Sequence, residues 1–248
     1  MESLSPLELA FFSVVIILSY AIRGSAGFGG VTVPLLVYLL PLKIVVPVVT
    51  FLGLISSCVI LASDRKYVDW KALWRIAPAA FAGAMLGLYF FSALDTRTLT
   101  RALGVVIIAY GLYSWWMTYR DKPPASLPLP MKLITHLAGI IAGFVGTLFG
   151  SMAGMFFAVY LDLLQLAKNE FRATAAAILF GLGIVRGLGY AAVGAYGHEA
   201  LITCAVALPL MLIGMFIGGR VHANLNGIAF KRLIAIILIL SGIPLLLR

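Results

Sequence analysis

The chain has 248 residues, of which 62% are hydrophobic and only 11% are charged. A soluble domain of this size cannot bury so much apolar surface in one core, so the composition indicates an all-α protein that crosses a membrane several times. The net charge of +9 comes from Lys and Arg residues scattered through short loops. That pattern is typical of cytoplasmic loops and excludes a nucleic acid as partner.

The first apolar run, over residues 9–22, has acidic but no basic residues before it, so we interpret it as a membrane segment rather than a cleaved signal peptide. An eight-residue break with an arginine and four glycines separates it from a second run over residues 31–42. We therefore predict two short helices around a break at membrane depth, which lipid tolerates only where protein or water covers it.

The break predicts an anion site, because the N–H groups that begin the second short helix and a buried guanidinium would both direct positive potential at one point. A serine hydroxyl in the break could add a further donor, although turn formation explains it as well. The predicted binding residues of this first tip are Arg23, Gly24, Ser25, Gly27, Phe28, Gly29 and Gly30.

The remaining apolar runs divide the chain into two repeats. We place the first at residues 1–118, with a broken pair at 9–42 and helices at 44–62, 76–93 and 99–117. A linker over residues 119–131, with four prolines and charged residues, leads to the second repeat at 132–248. That repeat has a broken pair at 133–167 and helices at 173–193, 200–219 and 232–247.

The repeats rest on prolines, glycines and an arginine that recur at one offset of 131 residues: Pro78 and Pro209, Gly83 and Gly214, Gly87 and Gly218, Arg101 and Arg232, Gly111 and Gly242. If each broken pair enters and returns, 12 basic loop residues share one face and 4 remain on the other. This split predicts inverted repeats with both termini outside, a cytoplasmic linker and tips that meet near the midplane. A first pair that crosses once gives the same split with the N-terminus inside.

The second broken pair has its own small-residue tip, with predicted binding residues Gly150, Ser151, Met152 and Gly154. Arg186 lies well inside an apolar run, where an unpaired guanidinium costs several kcal/mol. We assign it and Arg23 to anion binding; the alternative is that each satisfies free backbone carbonyls or pairs with an acid. Asp162 would be the partner of Arg186 or a proton carrier, unless it is simply solvated at the membrane edge.

Other residue types do not form a catalytic or metal-binding pattern. The three histidines lack metal-ligand spacing, and no nucleophile lies beside a base, so we predict neither an enzyme nor a cofactor. Glycines that recur at four-residue spacing predict close helix packing instead of ligand binding: Gly83 and Gly87, Gly139 and Gly143, Gly183 and Gly187, Gly214 and Gly218.

The sequence Gly27-Phe28-Gly29-Gly30, followed by Pro34-Leu35-Leu36, and its weaker counterpart at Gly150-Ser151-Met152-Ala153-Gly154 resemble the sulfite exporter TauE/SafE family of membrane permeases. The duplicated helices extend that resemblance over almost the whole chain. It implies a multi-pass transporter of sulfite, sulfonates or related organosulfur and carboxylate anions in a bacterial inner membrane. The second tip departs from the family by having Met152 and Ala153 where glycines are common.

Two function classes therefore stand at this point. The first is a secondary transporter that moves a small oxyanion, a carboxylate or another anion by alternating access around the two tips, with the lipid bilayer as its other partner. The second is a membrane scaffold or assembly partner whose arginines hold its own helices together. A cation carrier would need carboxylates at the tips, which the sequence does not have there. A homodimer is compatible with either class.

Overall fold

The computed structural model describes residues 5–27, 30–117, 131–150, 153–220 and 228–247. Over these ranges all regular structure is helical, as the composition predicts, and six of the described helices (α1, α3, α4, α6, α8 and α9) are long and apolar enough to cross a membrane. The helices are α1 (Pro6–Ala26), α2 (Thr32–Leu36), α3 (Leu42–Asp64), α4 (Trp70–Ala93), α5 (Thr96–Met117), α6 (Met131–Phe149), α7 (Ala153–Leu163), α8 (Lys168–Ala192), α9 (His198–Arg220) and α10 (Ile228–Leu247).

The first break is narrower than we expected. A capping box between Ser5 and Glu8 begins α1, and the helix continues through Arg23 to Ala26. It ends where Gly27 takes a left-handed conformation, with φ of 84°, and donates its N–H to the carbonyl of Arg23. Among the described residues of the stretch, only Gly27 therefore needs the conformational freedom of glycine, and the others before it fit a helix.

The second short helix is also shorter than the predicted run over residues 31–42. The helix α2 has only five residues, and Pro41 is the N-cap of α3. Conversely, α4 begins at Trp70, six residues before the predicted start at 76. The side chain of Asp69 accepts the N–H groups of Lys71 and Ala72 and so caps this first turn, whose charged and interfacial residues we had placed outside the membrane helix.

Glycines let four helices pack backbone to backbone. A Cβ atom on Gly83 would lie 2.2 Å from the carbonyl oxygen of Ile140, and one on Gly218 would lie 2.0 Å from that of Ala21. These contacts join α4 to α6 and α1 to α9, and they confirm that such glycine pairs serve close helix packing. Residue numbers rise together across both contacts, as in the neighbouring pair of Gly214 and Ile17, so the two helices of each pair run parallel.

The helices α3 and α8 form the centre of the bundle and run antiparallel, because Asp64 pairs with Arg172 at one end while Leu54 packs on Gly183 and Gly187 further along. We call the end with Asp64 the Asp64 face. At the opposite end, which we call the Lys43 face, Lys43 and Val193 line one cleft. Each face thus contains the start of one central helix and the end of the other.

Helix directions place the two broken pairs on opposite faces. Since α1 runs parallel to α9, it enters from the Lys43 face, and the chain returns to that face where α3 begins. Since α6 runs parallel to α4, it enters from the Asp64 face, and the chain returns there where α8 begins. This arrangement, together with the packing of α1 on α9, α6 on α4 and α5 on α10, is what the predicted inverted repeats require; the repeat relation itself stays a prediction.

Candidate functional site

Arg23 lies in the last turn of α1 and points into the centre of the bundle. Its side chain is only 7% exposed. The Nη2 atom donates to the carbonyl oxygen of Gly53 at 3.2 Å and to the hydroxyl of Ser57 at 2.9 Å. Gly53 is the middle residue of α3. The buried Nε atom has no hydrogen-bond partner among the described residues, so the guanidinium retains an unused donor.

Arg186 lies in α8 and is 6% exposed. Its Nη1 atom donates to the carbonyl oxygens of Gly146 at 2.5 Å and Gly150 at 2.7 Å. These carbonyls lie in the last turn of α6 and just beyond it, where a helix leaves its acceptors unsatisfied and its dipole is negative. The Nε atom again has no partner within the described part of the chain. Both arginines thus satisfy carbonyls, as our structural alternative expected, and both keep a free donor.

The two guanidinium groups lie beside the central helix α3 at different levels. Arg23 contacts Gly53, whereas Arg186 contacts the carbonyl of Gly150, and a Cβ atom on Gly150 would lie 3.7 Å from Val46 in the first turns of α3. Their positive charges repel each other. Neither has a carboxylate partner among the described side chains, where the ion pair observed is Asp64 with Arg172. Two charges so deep in an apolar bundle form a region of positive potential that favours an anion.

Hydroxyl groups that we did not predict surround this pair. The tyrosine hydroxyls of Tyr20 and Tyr196 donate to the Val49 and Pro47 carbonyls of α3 at 3.4 and 3.3 Å, and that of Tyr190 donates to the Thr147 carbonyl of α6. The Tyr196 hydroxyl would lie 3.9 Å from a Cβ atom on Gly187, next to Arg186, and the acceptor of Tyr190 is adjacent to Gly146, an acceptor of Arg186. Tyr20 and Tyr190 lie three and four residues from an arginine on the same helix, a spacing that could have revealed them.

The described tip residues pack against neighbouring helices or contact Arg186, and their binding roles stay predictions. A Cβ atom on Gly24 would lie 3.0 Å from the Met215 carbonyl oxygen and one on Gly27 would lie 2.9 Å from that of Arg172, while Ser25 is half-buried in the last turn of α1. Gly30 and Gly154 are buried, and the carbonyl of Gly150 accepts from Arg186. Phe28, Gly29, Ser151, Met152 and the side chain of Asp162 lie outside the described residues.

The described ends of the two tips lie at different depths, contrary to our expectation that the tips meet at the midplane. Gly27 rests on Arg172 near the Asp64 face, whereas a Cβ atom on Gly150 would lie 3.2 Å from Val33 and 3.7 Å from Val46, in the first turns of α3. The reason is helix length, because α1 alone spans about 31 Å at ~1.5 Å per residue. It is Arg23, not the described tip residues, that contacts the middle of α3.

Comparison with known proteins gives two matches. A family model described as sulfite exporter TauE/SafE matches residues 11–245. The probable inner membrane transporter protein TsaS of Comamonas testosteroni is 31% identical over 194 residues, which cover 73% of this chain and 73% of that protein. No solved structure matches the chain.

Proposed function

The chain belongs to the sulfite exporter TauE/SafE family of membrane transporters, and we propose that it exports a small sulfur-containing oxyanion, such as sulfite or a sulfonate, across the inner membrane. The family is one of permeases rather than of enzymes, so the reaction is movement of a solute across the bilayer. We further propose that transport proceeds by alternating access around Arg23 and Arg186.

The observation that carries the proposal is the pair of buried guanidinium groups without a carboxylate partner among the described side chains. Hydrogen bonds to carbonyls satisfy some of their donors but leave both charges uncompensated. An oxyanion would neutralise that charge and accept from the free Nε donors, which makes binding at this depth favourable where an empty site is not. A scaffold protein gains nothing from two buried like charges beside the same central helix.

Alternating access is supported by how the two arginines are held. Each arginine joins one broken pair to one central helix. Arg23 joins α1 of the first broken pair to α3, and Arg186 joins α6 of the second broken pair to α8. An anion between them would bind both halves of the molecule at once. Movement of one half against the other would then expose the same anion first to one face and later to the other.

The proposal is tested by binding to purified protein and by transport in proteoliposomes. A ligand that binds only the folded state at a hundredfold excess over Kd stabilises it by about 2.7 kcal/mol, so sulfite should raise the melting temperature. We expect no rise with a matched concentration of a small cation. Arg23→Gln should abolish the rise and the sulfite flux, whereas Arg75→Gln, which removes an exposed positive charge, should change neither.

Competing anions identify the substrate class. A short sulfonate should displace sulfite more effectively than a carboxylate of equal length if sulfur oxyanions are the substrate. If the carboxylate displaces sulfite more effectively, the substrate is a carboxylate, and the arginine site still binds it. A melting temperature that no anion changes, together with absent flux, would reject the transport proposal.

A further inference from the structure

The central helices α3 and α8 are separated at one face of the bundle. At the Lys43 face, the start of α3 and the end of α8 border a cleft of about 480 Å³, lined by residues that include Lys43, Ile44, Phe91, Val193 and His198. The charged and polar side chains of this lining include Lys43, His198 and Glu199.

The same two helices are held together at the opposite face. Arg172 of α8 forms an ion pair with Asp64 of α3 at 3.2 Å, and Thr174 accepts the backbone N–H of Asp69 at 2.9 Å. Directly beneath these contacts, Val68 packs with the buried Ala173 and Ala177. The Asp64 face thus combines an ion pair between α3 and α8 with a hydrogen bond and an apolar layer between α8 and the segment that follows α3.

We propose that the ion pair of Asp64 and Arg172 is the gate that closes the anion site toward the Asp64 face, and that the cleft at the Lys43 face is the open entrance in this conformation. This inference rests on the proposed transport function. It assigns a role to Arg172 at the start of α8, and it states which face the described conformation serves.

The anion site and the gate are connected through two helices. Arg23 donates to Ser57, which lies two turns before Asp64 on α3. On the other side, α1 ends one turn after Arg23 at Gly27, whose backbone rests on that of Arg172. A displacement of Arg23 toward a bound anion therefore acts on both members of the ion pair, one through α3 and one through the end of α1.

The gate can open because its ion pair is partly exposed to solvent. The side chains of Asp64 and Arg172 are 17% and 27% exposed. Charges at such positions attract each other weakly, since water screens them, and they can separate and hydrate without a large desolvation penalty. Arg23 and Arg186, both below a tenth exposed, lack that possibility, so the partly exposed pair is the contact suited to break in every transport cycle.

One aromatic residue, Tyr196, lies between the cleft at the Lys43 face and the anion site. Ala195 and Gly197 line the cleft, and Tyr196 between them donates to the Pro47 carbonyl. Its hydroxyl would lie 3.9 Å from a Cβ atom on Gly187, the residue that follows Arg186. A second cleft, lined by residues that include Tyr38, Arg97 and Thr100, lies in the same Lys43 half of the molecule.

Thiol labelling in membrane vesicles tests the gate. In a background with Cys58→Ser and Cys204→Ala, one reporter, Ala195→Cys, lies in the cleft, and another, Ala177→Cys, lies beneath the ion pair. A membrane-impermeant maleimide should label Ala195→Cys from the Lys43 face at once. Ala177→Cys should be protected from the Asp64 face, and addition of Asp64→Ala should increase its labelling rate at least tenfold.

Two controls separate gating from folding. Glu170→Gln, which removes an exposed carboxylate at the same face, should leave Ala177→Cys protected. Exchange of the two charges, with Asp64→Arg and Arg172→Asp together, should restore the protection that Asp64→Ala removes. If Asp64→Ala lowers the amount of folded protein, Arg172→Gln provides the same comparison from the other partner.

The labelling result is independent of the sulfite binding result. Equal labelling of Ala177→Cys with and without the ion pair, in protein that melts normally, would overturn the gate while leaving an anion-induced rise in melting temperature intact. The gate would also be overturned if the exchanged charges fail to restore the protection of Ala177→Cys. Conversely, gated labelling in a protein that no anion stabilises and that shows no flux would reject the transport proposal, while the ion pair would still control access to Ala177→Cys.

Discussion

Arg23 and Arg186 are buried to the same extent, but their surroundings differ. Arg23 contacts one carbonyl and one hydroxyl on a neighbouring helix that is otherwise regular, whereas Arg186 contacts two carbonyls at the end of α6. The first arrangement could be replaced by water or a ligand, because Gly53 and Ser57 belong to a continuous helix. The second satisfies acceptors that no helix bond can satisfy. Arg186 therefore combines a structural and a binding role, and Arg23 is the more dispensable for folding.

The largest effect in this comparison is expected from Arg186→Gln. Loss of the guanidinium leaves the carbonyls of Gly146 and Gly150 unsatisfied in an apolar site, at about 1–3 kcal/mol each. We expect the melting temperature of the ligand-free protein to fall strongly and transport to be lost. Arg186→Lys, which keeps the charge with fewer donors in a different geometry, should give an intermediate melting temperature. A normal melting temperature for Arg186→Gln would show that α6 does not depend on this contact.

A pair of alanine substitutions probes how tightly each guanidinium is enclosed. A Cβ atom on Gly146 would lie 2.3 Å from that of Ala153 and 3.2 Å from Nη1 of Arg186, whereas one on Gly53 would lie 3.8 Å from Nη2 of Arg23. Gly146→Ala should destabilise the protein by about 1–3 kcal/mol through overpacking. Gly53→Ala should be nearly neutral in thermal melts. Equal losses of stability in both variants would contradict the idea that Arg186 is more tightly enclosed than Arg23.

Arg23→Gln should affect binding more than folding. The Gly53 carbonyl keeps another donor after the substitution, since Ser56 also donates to it at 2.9 Å. We expect a loss of about 1–2 kcal/mol in stability, within the range for a hydrogen bond to a charged group, and loss of the sulfite-dependent rise in melting temperature. If ligand-free protein is strongly destabilised while the rise persists, Arg23 is a clamp and Arg186 carries the site.

The smallest effect is expected from Ser57→Ala. The hydroxyl of Ser57 orients Arg23, so its removal should weaken sulfite binding by a few fold, in line with about 1 kcal/mol for one hydrogen bond. Ser56→Ala is the matched control, because Ser56 lies on the same helix and is equally buried but does not contact Arg23. Titration calorimetry with both variants separates them. A larger loss with Ser56→Ala would contradict the orienting role.

Much of the fold could be predicted from composition and spacing. The apolar runs located the helices, because a membrane helix needs about 20 apolar residues, and the four-residue glycine spacing identified the packing of Gly83 and Gly218. The error at the first break has a physical cause. Arginine, serine and alanine are all tolerated in a helix, so a glycine-rich stretch can remain helical until one residue, Gly27, adopts a left-handed conformation.

The candidate site was predictable only in part. Arg23 and Arg186 were identified by their cost in lipid, which is a property of the residue and its flanks. Tyr190 and Tyr196 were not, because a tyrosine in an apolar run is usual and its hydroxyl acceptors come from distant helices. The pairing of Asp64 with Arg172 joins residues 108 positions apart, and no local pattern distinguishes those two charges from the other charged loop residues.

Sequence alone determined that this chain is a multi-pass helical membrane protein with two arginines at a depth where a charge must have a purpose, because transfer of side chains into lipid depends on local composition. The tertiary structure decided which acceptors each arginine contacts, which of the two is needed to complete a helix end, and which face of the central helix pair is held together. Those properties depend on contacts between residues far apart in the chain, and such contacts are set by which helices pack together and in which direction each one runs.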